Sequence, residues 1–99
     1  MTITDIIPTE QFIEDYAEAP KEVRKKMDGY LEKILDAGRY PNSLRVHKVY
    51  STEYLSGYVT TTGAHWRVLF EQDDDKVYLH RLLNHDKYDV FIKSVGRGK

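Results

Sequence analysis

Between Trp66 and Leu83 the chain alternates apolar and polar side chains twice, on either side of the run Asp73-Asp74-Asp75. Period-two alternation interrupted by turn residues predicts two antiparallel strands joined as a hairpin. Along the first strand Trp66, Val68 and Phe70 face one way, and His65, Arg67, Leu69 and Glu71 the other. Along the second, Val77, Leu79, Arg81 and Leu83 alternate with Tyr78, His80 and Leu82. Which set joins Arg67 depends on the turn, because a slip of one residue exchanges the faces. A three-residue turn, Asp73 to Asp75, sets Arg67 opposite Arg81 and is the preferred register. A two-residue turn would put His80 and Tyr78 beside Arg67 instead.

The remaining elements are read around this hairpin. Residues 2 to 7 are apolar and β-branched, a short strand ended by Pro8. Thr9 is placed to cap a short helix carrying Phe12, Ile13, Tyr16 and Ala17 on one face. Pro20 opens a second helix, with Val23, Met27, Tyr30, Leu31, Ile34 and Leu35 at helical spacing and Gly38 as its stop. Gly29 inside that helix costs roughly 1 kcal/mol relative to Ala and suggests close packing on a neighbour. Leu44 to Lys48 and Leu55 to Thr62 read as further strands, with a turn at Thr61-Thr62-Gly63-Ala64. Asn84 or Asp86 caps a last helix bearing Tyr88, Phe91, Ile92 and Val95, and the terminal Gly96 to Lys99 reads as frayed. The expected fold class is α+β: two N-terminal helices packed on a twisted antiparallel sheet of about four strands, with a C-terminal helix, in the order β-α-α-β-β-β-α.

Ninety-nine residues, 40% hydrophobic and 31% charged, suit a single globular domain spanning 1–99. No apolar run approaches the roughly 20 residues of a membrane helix, and MTITDIIP lacks a basic start and apolar signal core, so a cytoplasmic location is expected. The absence of cysteine excludes disulfides and thiolate metal sites. A net charge of −1 argues against a generic nucleic-acid binder. Its distribution is uneven: residues 1 to 20 hold five acids and no Lys or Arg, whereas 21 to 48 hold eight bases against four acids. Arg24, Lys25, Lys26 and Lys33 fall mostly off the apolar stripe of the second helix. They are either a solvated face or a contact for RNA or a partner.

The groups that carry chemistry lie at the end of the hairpin. Arg67, Arg81, His85 and Tyr88 form a set suited to phosphate: guanidiniums fork onto it, and an imidazole exchanges protons near neutrality. His47 and Lys48 are second candidates from the preceding segment. Structural roles compete with these: Asp86 can start a helix, Tyr88 can be core, and Arg67 can pair with Glu71 or Asp89. No cofactor and no metal is expected, since His85-Asp86 offers adjacent rather than convergent ligands. Asp73 to Asp75 likewise lack the glycine and spacing of a calcium loop.

In order and spacing, PKEVRKKM…YLEKIL, SLRVHKV, WRVLFEQDDDKVYLHRLL and NHDKYD resemble the RelE/ParE superfamily of small bacterial toxins, in its branch whose last strand ends in a His-Asp pair. The resemblance implies a ribosome-dependent endoribonuclease cutting messenger RNA, inhibited by a cognate antitoxin in a toxin–antitoxin hetero-oligomer. It matches Arg67 to the arginine of the family's strand "YR" pair, with Trp66 replacing Tyr, and places His85, Asp86 and Tyr88 at the terminal catalytic cluster. Arg45, His47, Lys48 and Asp86 are the substrate-binding candidates. Tyr58 and Thr60 stand where family members carry lysines, and the family is usually basic. A ParE-like inhibitor of gyrase, without nuclease activity, and an inactive homologue acting as a binding protein are the alternatives.

Overall fold

The computed structural model describes residues 2–49, 52–60 and 65–96, with side chains given up to residue 94. The turn expected at 61–64 and the tail at 97–99 lie outside the described residues, as does the side chain of Val95. Strands β1 (Asp5–Pro8), β2 (His47–Lys48), β3 (Leu55–Tyr58), β4 (Arg67–Asp73) and β5 (Lys76–Leu83) form one sheet in the order β1-β5-β4-β3-β2. Helices α1 (Glu10–Glu18) and α2 (Lys21–Ala37) follow β1, and α3 (His85–Gly96) follows β5. The α+β class and the placement of the helices in the chain agree with the sequence reading. The sheet has five strands rather than about four, and it is mixed: β1 runs parallel to β5, from Asp5 beside Lys76 to Pro8 beside Leu79. Pro8 is tolerated there because β1 is an edge strand, where a missing N–H need not break a ladder.

Local signals account for the helix boundaries. The Thr9 hydroxyl accepts from the Phe12 N–H at 3.3 Å and donates to the Leu79 carbonyl at 2.9 Å, so one side chain both caps α1 and ties it to β5. Pro20 precedes α2, and Gly38 ends it in the left-handed conformation (φ 72°), its N–H donating to the Ile34 carbonyl. Asn84 caps α3, accepting from the Lys87 N–H at 2.9 Å. Along α1 only Phe12 is fully buried, and Ile13 and Ala17 face solvent. Gly29 does not sit against a neighbour, since a Cβ there would meet nothing within 4 Å.

The helices occupy both faces of the sheet. Phe12, Val23, Met27 and Ile34 pack with Val68, Phe70, Val77, Leu79 and Leu82 in the main core. On the reverse face a smaller core joins Val49, Leu69 and Leu83 to Tyr88, with Phe91 and Ile92 of α3 against it. Burying each of these aliphatic or aromatic side chains contributes on the order of 1.5–3 kcal/mol.

The β4–β5 register corrects the preferred expectation. The turn has two residues, Asp74 (φ 60°) and Asp75, with Asp73 opposite Lys76. Phe70 pairs with Leu79 and Leu69 with Arg81, which leaves His80 as an extra residue in a β-bulge. Arg67 therefore lies opposite Leu83, not Arg81. The bulge also explains the apolar run on the odd positions of β5. Before it, Val77 and Leu79 face the main core; after it, Leu82 takes that side and Leu83 turns to the core under α3.

Candidate functional site

The reverse face of the sheet gathers aromatic and cationic side chains beside the start of α3. Arg67 projects from β4 between two phenols: its guanidinium carbon is 4.6 Å from the ring centre of Tyr58 on β3 and 4.6 Å from that of Tyr88 on α3. The sheet register dictates the first contact, because Tyr58 and Arg67 are direct partners across β3 and β4. Helix α3 dictates the second: Tyr88, 6% exposed, is clamped over Leu69 and Leu83. Each ring face attracts the cation, at about 0.5–2 kcal/mol apiece. The Arg67 Nε–H is buried and has no hydrogen-bond partner among the described residues. A buried charged donor without an acceptor is an opening for an anion.

Histidines adjoin the elements that hold this arginine. The His47 ring centre lies 5.7 Å from that of Tyr58. Its Nδ1 is 3.1 Å from the Arg45 carbonyl, an atom that can only accept, so a hydrogen bond there is donated by Nδ1–H. His85 opens α3 one turn before Tyr88, with its side chain 46% exposed. Its Nδ1 stands 3.6 Å from an Asp86 oxygen and 3.7 Å from an Asp89 oxygen, near enough to orient the ring but too long for firm hydrogen bonds. The His65 ring lies edge-on to His85 at 6.4 Å.

Of the residues singled out in the sequence, Arg67 and Tyr88 touch, His85 sits one helical turn away, and His47 joins them through Tyr58. Lys48 is exposed on the edge strand β2. Arg45, in the left-handed region at φ 50°, lines a groove beside α2 that Tyr58 also borders. Asp86 is fully exposed. Arg81 is not brought to Arg67. Its Nε–H donates to Asp15 Oδ2 at 2.7 Å and an η nitrogen donates to Oδ1 at 3.3 Å, while the Leu82 N–H donates to the same carboxylate at 3.0 Å. Asp15 thus anchors α1 to the stretch of β5 that β1 leaves unpaired. Arg81 also lies 5.5 Å from the Phe91 ring centre.

His80 likewise packs into the scaffold: its ring is edge-on to Tyr54 at 5.3 Å, and its buried Nε2 lies 2.7 Å from Glu71 without hydrogen-bond geometry. Tyr54 in turn meets Phe91 of α3. Two members of the cluster, Tyr58 and His65, had no assigned role in the sequence reading. The signal for Tyr58 was its strand pairing with Arg67, and the register of β3 on β4 is not written in residue spacing.

No protein-family model and no curated protein matches this chain. Solved structures do. A chain of the RelB–RelE antitoxin–toxin complex from Methanococcus jannaschii superposes with a TM-score of 0.71 at 20% identity, over 86% of this chain and 98% of that one. YafQ from Escherichia coli BL21(DE3) gives 0.67 at 21% identity, over 86% and 97%. A chain of the heterotetrameric YoeB–YefM toxin–antitoxin complex from Staphylococcus aureus gives 0.62 at 23% identity, over 83% and 97%. The architecture is therefore that of the small toxins of toxin–antitoxin pairs. It is the RelE-like fold, which this chain shares with RelE, YafQ and YoeB structures.

Proposed function

We infer that the protein is the toxin of a toxin–antitoxin pair, acting in the cytoplasm as an endoribonuclease on messenger RNA at the ribosome, and held inactive by a cognate antitoxin. The observation that carries this reading is the Arg67 guanidinium fixed between Tyr58 and Tyr88, with a buried Nε–H turned to no acceptor among the described residues, His47 against Tyr58 and His85 one turn before Tyr88. Neighbours solved as toxin–antitoxin complexes support the toxin role and the antitoxin partner.

The chemistry requires no metal. A base takes the proton of a 2′-hydroxyl, the 2′-oxygen bonds to phosphorus, and the bond to the 5′-oxygen breaks as an acid returns a proton to it. The products are a 2′,3′-cyclic phosphate and a 5′-hydroxyl. Arg67 stabilises the charge that gathers on the phosphorane, a permanent cation already oriented before substrate arrives. His85 serves as acid or base; His47 and His65 are the groups able to complement it. Tyr88 orients Arg67 and borders the reacting phosphate. Arg45, Lys48 and the segment around Asp86 form the margin along which the substrate lies. Arg81 holds α1 to β5 in this scheme, because its fork is spent on Asp15.

Expression in a translating extract, with mapping of new transcript 5′ ends, tests the proposal. Wild-type protein should generate ends within ribosome-bound codons, and His85→Gln and Arg67→Ala should each lower the yield by roughly 10²-fold or more. Undiminished cutting by His85→Gln would remove that residue from the mechanism. Intact transcripts together with altered plasmid supercoiling would replace the nuclease by a gyrase inhibitor.

A further inference from the structure

A groove of about 1110 Å³ runs between α2 and the end of the sheet where β3 and β4 meet. Its charge is one-sided. Lys25, Lys26 and Lys33 of α2 and Arg45 line it, against the single acid Glu22. Three aromatic side chains, Tyr30, Tyr58 and Trp66, line it as well, with Lys33 Nζ 5.9 Å from the Tyr30 ring centre. Tyr30 and Trp66 are half-buried in the main core, so their rings are held rather than free. Gly29 gives the wall its breadth, having only open space where a Cβ would stand. The opposite flank of α2 differs: there Asp28, Leu31 and Leu35 border a separate apolar groove. Three of the five basic residues of the helix thus share the groove side, while Arg24 donates to the Ala19 carbonyl.

We propose that this groove is a track for single-stranded RNA, continuous with the Arg67 cluster through Tyr58. The inference rests on the nuclease reading for its direction, since Tyr58 both packs on Arg67 and lines the groove. Cations and fixed ring faces sharing one groove are the means by which unpaired strands are held without reading their sequence. Duplex bases are already stacked and have no use for such rings. An acidic protein segment would engage the lysines but would leave Tyr30 and Trp66 without planar partners.

The test uses a fluorescein-labelled, 2′-O-methyl oligoadenylate of 12 nucleotides, which cannot be cleaved at its own 2′ positions. Binding therefore reports on the groove whether or not transcripts are cut. Anisotropy titrations across a salt series should show wild-type binding. In Lys26→Gln/Lys33→Gln the slope of log affinity against log salt should fall by about 1.4, at roughly 0.7 for each phosphate that the protein ceases to neutralise. Tyr30→Leu should weaken binding roughly 5- to 100-fold while Tyr30→Phe restores it, with circular dichroism confirming that both fold. Failure of the wild type to bind, or equal affinities and slopes in wild type and the lysine variant, overturns the proposal. So does tighter binding of a labelled 12-residue polyglutamate peptide, which would make the groove a seat for an acidic protein segment.

Discussion

Arg67 and Tyr88 come from different elements, β4 and α3, yet the guanidinium carbon of one lies 4.6 Å from the ring centre of the other. The contact makes α3 part of the arginine's environment and not merely a lid on Leu69 and Leu83. Tyr88→Phe keeps the ring and should stay within about 1 kcal/mol of wild type. Tyr88→Ala empties a buried aromatic site and should cost about 3–5 kcal/mol. Urea denaturation midpoints at constant slope measure both.

Asp15 holds three hydrogen bonds from Arg81 and the Leu82 N–H, and its side chain is only 14% exposed. Removing it strands a charged fork and a strand N–H together. Asp15→Ala should therefore destabilise by about 3 kcal/mol, more than an exposed ion pair is worth. Arg81→Met should cost less, because Met retains the contact near Phe91 while Asp15 keeps the Leu82 N–H. A thermal melt in which Asp15→Ala matched wild type would show that the pair contributes nothing to holding α1.

Two glycines should respond in opposite directions to the same substitution. At Gly57 a Cβ would come within 2.7 Å of the Leu44 side chain, which is fully buried. Gly57→Ala should cost about 1–3 kcal/mol by overpacking. At Gly29 the space is open and the residue is helical, so Gly29→Ala should add about 0.5–1 kcal/mol. Paired melting curves separate the two effects.

Burial pushes the Tyr40 hydroxyl up to about 12, while it donates to Gln72 at 2.6 Å and its ring packs on Phe70. The ordinary phenol value is near 10, so folding favours the protonated form. Its contribution to stability is complete below pH 10 and is lost as pH rises from 10 through 12. Tyr40→Phe should therefore lose less stability than wild type between pH 9 and pH 11. Urea titrations of both proteins at those two pH values give the comparison; parallel losses would remove Tyr40 from the alkaline transition.

Much of the architecture was written locally. Thr9, Pro20, Gly38 and Asn84 mark helix ends through hydrogen bonds or backbone angles that involve their immediate neighbours, and the alternation in β4 identified its two faces. Arg67, His85, Tyr88 and His47 were visible as chemistry for the same reason: a side chain's acidity and charge belong to the residue. What stayed hidden required distant segments to meet. The bulge at His80 reverses the faces of β5 within one strand, and nothing in the alternation of residues 76 to 83 announces it. Arg81 was paired with Asp15 from 66 residues away, and Tyr58 was set on Arg67 by strand register. Those contacts follow from how whole elements pack, where a single inserted residue redirects every side chain beyond it.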